Sequence, residues 1–163
     1  MIAILPSSWC TDRIHCTIAA TMEIPDIRRR VRQALEQAKT QSAERHARAD
    51  LARTAYAAFV RDVATPAFRM FGNVVKAEGH GFAVFTPADG VRLVSERHAD
   101  DFMEIWLDTS LDPPQVSTRV SRMRGRELTA KEEPLRAGAP TNALSDEDVF
   151  GFLLANIGML VER

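Results

Sequence analysis

The stretch HGFAVFTPADGVRLVSER, residues 80–97, decides the fold. Before it, apolar residues recur at spacings of three and four. Within it they alternate with small and polar residues on either side of Pro87-Ala88-Asp89-Gly90. A change of period from 3.6 to 2 marks the passage from helix to sheet. The Pro-Ala-Asp-Gly segment predicts a hairpin turn, with Gly90 expected to take the positive φ that such turns often need.

Alternation continues downstream. In FMEIWLDT, residues 102–109, Met103, Ile105 and Leu107 fall on one face, and Phe102, Glu104, Trp106 and Asp108 on the other. In VSTRVSRMRGREL, residues 116–128, Val116, Thr118, Val120, Arg122 and Arg124 share one side, while Ser117, Arg119, Ser121 and Met123 share the other. Gly125 reads as a turn or bulge before residues 127–133. The segment 80–133 is therefore expected to be an antiparallel meander of four or five strands.

Upstream, the pattern is helical over residues 25–78. Pro25 suits a first turn, and Ile27, Val31, Leu35 and Ala38 form a stripe opposite Arg28, Arg29, Arg30, Arg32, Glu36 and Lys39. Residues 40–50 keep only alanines on that stripe, and Leu51, Ala55, Phe59 and Val63 resume it. This predicts one long helix, or two with a soft joint near 42–50. Thr65-Pro66 is expected to kink or restart it, because Pro66 has no N–H for the Asp62 carbonyl. Phe68, Phe71, Val74 and Val75 carry the stripe to Gly79, which reads as the stop.

At the other end, Ser145 and Asp148 form a Ser-x-x-acid capping box, flanked by Leu144 and Val149 as a hydrophobic staple. The helix they start, 146–162, is apolar around most of its circumference. It is expected to be sandwiched between sheet and N-terminal helices, or shared with another subunit through Phe150, Phe152, Leu153, Ile157 and Met159. The sum is an α+β domain over 22–163, with helices packed on an antiparallel sheet.

Residues 1–21 read as an extension. They hold both cysteines, Cys10 and Cys16, and His15, which are too few ligands for a structural zinc site. Pro6, Ser7 and Ser8 interrupt the apolar run that a secretory signal requires, and Met22, just before the helix signals, reads as an alternative translation start. The whole chain of 163 residues carries 21 lysines and arginines against 22 acids, so no global charge draws it to a polyanion. No run of 18 apolar residues occurs, so no membrane partner and a cytoplasmic location are expected.

Chemistry-bearing motifs are sparse. No nucleophile elbow, phosphate loop, dinucleotide fingerprint or zincin helix is found, so no enzymatic activity, catalytic residue, cofactor or metal is expected. His80 reads as a solvated turn residue, His46 as exposed on a charged helix, and His98 with Asp100 and Asp101 as a polar loop. Asp146, Glu147 and Asp148 suit a helix N-terminus rather than an ion, since adjacent helix positions diverge.

The four arginines at 119, 122, 124 and 126, with Arg92, Arg97 and Lys131, offer a basic sheet surface beside Trp106 and Phe102. Sheets that bind nucleic acid combine such cations with exposed aromatics. Glu96, Glu104, Asp108, Glu127, Glu132 and Glu133 lie on the same strands and favour a solvated, salt-bridged face. The expected function is a non-enzymatic, chaperone- or adaptor-like interaction module, either a homodimer or a binder of a protein client. The alternative is a nucleic-acid-binding protein using Arg92, Trp106, Arg119, Arg122, Arg124 and Arg126.

Overall fold

A computed structural model describes residues 24–88 and 90–161. Cys10, His15, Cys16, Met22 and Asp89 lie outside the described residues. The chain divides into two compact units, Met1–Lys39 and Thr40–Arg163, with the boundary inside the first helix.

Helix α1 (Ile24–Phe59) leads through a π-helical segment (Val60–Ala64) into α2 (Thr65–Ala77). No joint appears at 42–50; the irregularity sits one turn before Pro66. Its cause is the proline expected to kink the chain: Pro66 leaves the Asp62 carbonyl without a donor and crowds it. Widening the preceding turn, with the Thr65 N–H bonded to the Val60 carbonyl five residues back, accommodates the ring without breaking the rod. The stop is at Gly79, as the sequence predicts. Gly79 has φ +90°, its N–H bonds the Lys76 carbonyl at 3.0 Å, and the His80 N–H bonds the Val75 carbonyl at 3.1 Å. These are the two bonds of a Schellman motif.

Five strands follow: β1 (Phe82–Phe85), β2 (Gly90–Ser95), β3 (Phe102–Asp108), β4 (Gln115–Arg124) and β5 (Glu127–Pro134). All neighbours are antiparallel and the sheet order is the chain order. A two-residue turn joins β4 to β5, with Gly125 at φ +63° in its first central position, as in a type II′ hairpin.

Gly90 differs from the expectation. It is not among the glycines with positive φ; it opens β2, where any Cβ would overlap the Ile105 carbonyl oxygen. The same carbonyl accepts a hydrogen bond of 3.0 Å from the Tyr56 hydroxyl. Glycine is needed there for close approach, and Tyr56 ties the end of α1 to β3 at that point.

One sheet face carries the core. Val91, Leu93, Met103, Ile105, Val116 and Val120 are buried on it, against Phe68, Phe71 and Val75 of α2 and Val149 and Leu153 of α3 (Asp146–Val161). Gly72 lets α2 settle close to the sheet, since a Cβ there would lie 3.3 Å from Leu93 and 3.4 Å from Val84. Val74, expected on the apolar stripe, points outward instead and is exposed. The stripe that packs is Phe68, Phe71 and Val75, at spacings of three and four.

The start of α3 is built as the sequence predicts. The Ser145 N–H donates to the Asp148 carboxylate at 2.8 Å, and the Asp148 N–H reaches the Ser145 hydroxyl at 3.4 Å. Arg136 closes the cluster, donating to Asp148 at 3.0 and 3.2 Å and to the Ala143 carbonyl. Burial alone would raise the Asp148 pKa. Hydrogen bonds from Ser145 and the Arg136 charge outweigh it and hold the carboxyl below its ordinary value.

Two expectations follow for stability. Ser145→Ala should cost about 1 kcal/mol by thermal or chemical denaturation. Because the folded-state pKa of Asp148 is depressed, its contribution is present above the unfolded value, about 4, and is lost as pH falls through the folded one. The stability gap between wild type and Asp148→Asn should therefore be open at neutral pH and close progressively below about pH 4; a gap independent of pH would remove the carboxylate from the cap. Gly90→Ala should cost on the order of 2–3 kcal/mol through the collision with the Ile105 carbonyl.

Candidate functional site

Three surfaces and one cavity hold the residues singled out in the sequence. The first is α3. Leu153 is fully buried in the core, so it forms no interaction surface. Phe150, Phe152, Ile157 and Met159 are half-buried and pack against the same core. The wide apolar circumference of α3 is explained within the chain, because the helix meets β3 and β4 on one side and α2 and the π-helical segment on another. Leu154 alone among its large apolar residues is exposed.

The second surface is the first part of α1. Ile27, Val31 and Leu35 of the predicted stripe are 43%, 51% and 57% exposed, and Ile24, one turn before them on the same face, is 73% exposed. Its spacings of three, four and four put one large aliphatic side chain on the same face at each turn. Arg28, Arg30, Arg32 and Lys39 flank it and are exposed. His46 is also exposed, as expected.

The third is the sheet face away from the core. The antiparallel register aligns Arg92, Glu104, Arg119 and Glu132 in one row across β2 to β5. Arg92 donates to Glu104 at 2.7 Å and Arg119 to Glu132 at 2.7 Å. Both guanidinium groups also lie over aromatic rings, Arg92 over Phe102 at 4.3 Å and Arg119 over Trp106 at 4.9 Å from the ring centres. Each cation is thus matched by a carboxylate, and each ring has one face capped by an arginine. This geometry favours the salt-bridged face over a stacking platform for bases. Lys131 pairs with Glu133 at 2.9 Å, and Arg126 lies exposed in the β4–β5 turn.

Arg122 and Arg124 are not part of that row. Their alternation with Val116, Thr118 and Val120 holds, and that side is the core face, so Arg122 is only 8% exposed. The sequence pattern placed them together correctly; what it lacked was which face the helices cover.

Beyond the edge of the helices, this face opens into a cavity of about 550 Å³. In a meander, the start of β1, the end of β2, the start of β3 and the end of β4 lie at one end of the sheet. That end gathers His80, Arg97, His98, Asp101, Arg122 and Arg124, with Phe82, Leu160 and Val161 as an apolar wall. Among the described residues, its lining holds three arginines, two histidines and the carboxylate of Asp101. Asp101 is buried and occupied: its carboxylate accepts the Met123 N–H at 2.7 Å, and extension of the β3–β4 register sets it opposite Arg122. Asp100 and His98 are exposed in the loop, but His98 and His80, read separately in the sequence, line the same space. No cluster of three or more histidines, cysteines or acids suited to a metal occurs among the described residues. No described helix is long and apolar enough to cross a membrane.

Burial separates the two arginines of this strand. Arg122→Glu should destabilise the protein by roughly 3 kcal/mol or more, since it sets a carboxylate beside Asp101 in a largely dry site. Arg124→Glu, exposed at the strand end, should change the melting temperature little; equal effects would place both side chains in the same environment. No protein-family model matches this chain, and no curated protein and no solved structure matches it either.

Proposed function

We propose that the protein is a non-enzymatic interaction module that works as a homodimer, joined through the first half of α1. The observation that carries this reading is the uncovered stripe Ile24, Ile27, Val31 and Leu35. Of residues 27–48, every one except Ser42 is exposed. An isolated helix is marginal in water, and helical stability in proteins comes mainly from packing an apolar face. Such a stripe asks for a partner.

A second copy fits it. Ile24, Ile27, Val31, Leu35 and Ala38 follow spacings of three, four, four and three, the pattern of a seam between paired helices. Aliphatic and β-branched residues suit interdigitation in such a seam, and the stripe has none of the aromatic residues common on helices that lie in a lipid interface. The function then resides in the pair, with the α+β unit as the body that each helix presents.

Light scattering on the full chain tests this. The expected mass at micromolar concentration is about twice 18.1 kDa, falling to 18.1 kDa for Val31→Glu with Leu35→Glu. Leu154→Glu on α3 should leave the doubled mass unchanged. A mass of 18.1 kDa at all concentrations, a dimer that survives the α1 substitutions, or a monomer that sediments with phosphatidylglycerol vesicles would each overturn the assignment.

A further inference from the structure

The middle of α1 carries a device of a different kind, independent of the pairing proposed for the helix's first half. We infer that Arg48 and Asp112 form a releasable latch that holds residues 40–55 of α1 against the β3–β4 loop, so that ionic strength sets how often this part of the helix lifts away.

The geometry of the pair is the first support. The Arg48 Nε donates to one Asp112 carboxylate oxygen at 3.0 Å and Nη2 donates to the other at 2.8 Å. This two-pronged arrangement fixes the relative position of both groups. The partners lie 64 residues apart in sequence, so the bond joins the helix to a distant loop. The bond from Arg53 to Asp50 at 2.7 Å, by contrast, stays within the helix and ties it to nothing. The contact also marks the titration of both groups. Hydrogen bonding to Arg48 outweighs desolvation and holds the Asp112 carboxyl below its ordinary value, and the same bond raises Arg48. Arg45 adds to the positive field at Asp112, and Glu44 to the negative field at Arg48.

The second support is the thin packing of the segment. None of residues 40–55 is buried; Ser42, Ala49, Ala52 and Ala55 are half-buried and the others are exposed. The three alanines recur every third residue, so the helix turns a face of small side chains to the body and removes little apolar area from water. Beside Ala52 and Ala55 a groove of about 360 Å³ stays open, walled by Leu51, Pro113, Pro114 and Pro140. Firm attachment begins at Tyr56 and Phe59, which are buried, where the Tyr56 hydroxyl holds the Ile105 carbonyl.

Exposure makes the bond releasable. The Arg48 and Asp112 side chains are 45% and 44% exposed, so water and salt screen the pair, and pairs of this kind contribute little to global stability. A segment held by a small apolar contact and a screened ion pair opens locally, at lower cost than the strands. Once undocked, a helical stretch of this length is marginal in water, so release registers as lost amide protection.

Hydrogen exchange of the full chain, followed by mass spectrometry at one protein concentration, tests the latch. In the wild type, amides of residues 40–55 should be protected at low salt and exchange faster at high salt, while those of β3 keep their rates. Asp112→Ala should raise exchange over 40–55 about two- to fivefold at low salt and remove most of its salt dependence. Arg48→Gln should act in the same direction but less, because Arg45 remains near Asp112. Combining the two should add little to Asp112→Ala alone, since they remove one shared bond. Lys76→Gln, which breaks a pair with Glu96 elsewhere on the surface, should leave 40–55 unchanged. No protection over 40–55 in the wild type, exchange indifferent to salt and to both substitutions, fully additive effects, or an equal rise in β3 would each overturn the latch.

Discussion

The register of β3 between β2 and β4 is the constraint on which the rest of the molecule depends. Leu93 pairs with Met103 and Met103 with Val120; beside them, Val91 pairs with Ile105. Those contacts put the whole apolar set on one face, under α2 and α3. A slip of β3 by one residue would turn Met103 and Ile105 to the opposite face and bring Glu104 to the core side, breaking the apolar set and burying a carboxylate away from Arg92 and Arg119. Register is therefore strongly specified here. It also aligns the charged row on the opposite face and carries Arg122 to the core side at the sheet's end.

That last consequence links fold to site. A strand ten residues long outruns the helices that cover it, so the core face of β4 changes character along its length. At Val116 and Val120 it is core; at Arg122 and Arg124 it is the floor of a cavity. The meander contributes the other walls because alternate strand ends and connections fall on one side. The site is a product of chain direction, strand length and helix length, and none of its residues is neighbour to all the others in sequence.

The two terminal helices differ in an instructive way. α3 is the more apolar, yet nearly all of its large side chains find cover inside the chain. α1 is the more polar, yet Ile24, Ile27, Val31 and Leu35 of its first part are exposed, while Tyr56 and Phe59 at its end are buried. Total hydrophobicity is a poor guide to which surface seeks a partner; what matters is the apolar area left over after the nearest elements have packed. For α3 position decides this, since the helix returns to the sheet and packs on β3, β4 and α2.

Much of the architecture was legible in local patterns, because those patterns are enforced by short-range physics. The switch of period at residues 80–97, the stop at Gly79, the turn at Gly125 and the Ser145–Asp148 cap each depend on backbone geometry and on bonds within a few residues, so the sequence alone determined them. The π-helical turn ahead of Pro66 was legible as an irregularity, though its form was not, since a proline can be met by a kink or by a widened turn. The role of Gly90 was hidden for another reason: its neighbour is the Ile105 carbonyl, fifteen residues away. Burial of Leu153 and Arg122, the outward turn of Val74, the pairing of Arg92 and Arg119, and the meeting of His80, His98, Arg97 and Arg124 were decided only by the tertiary structure. Each depends on which face another element covers, and alternation along a strand or helix defines two faces without saying which one is dry.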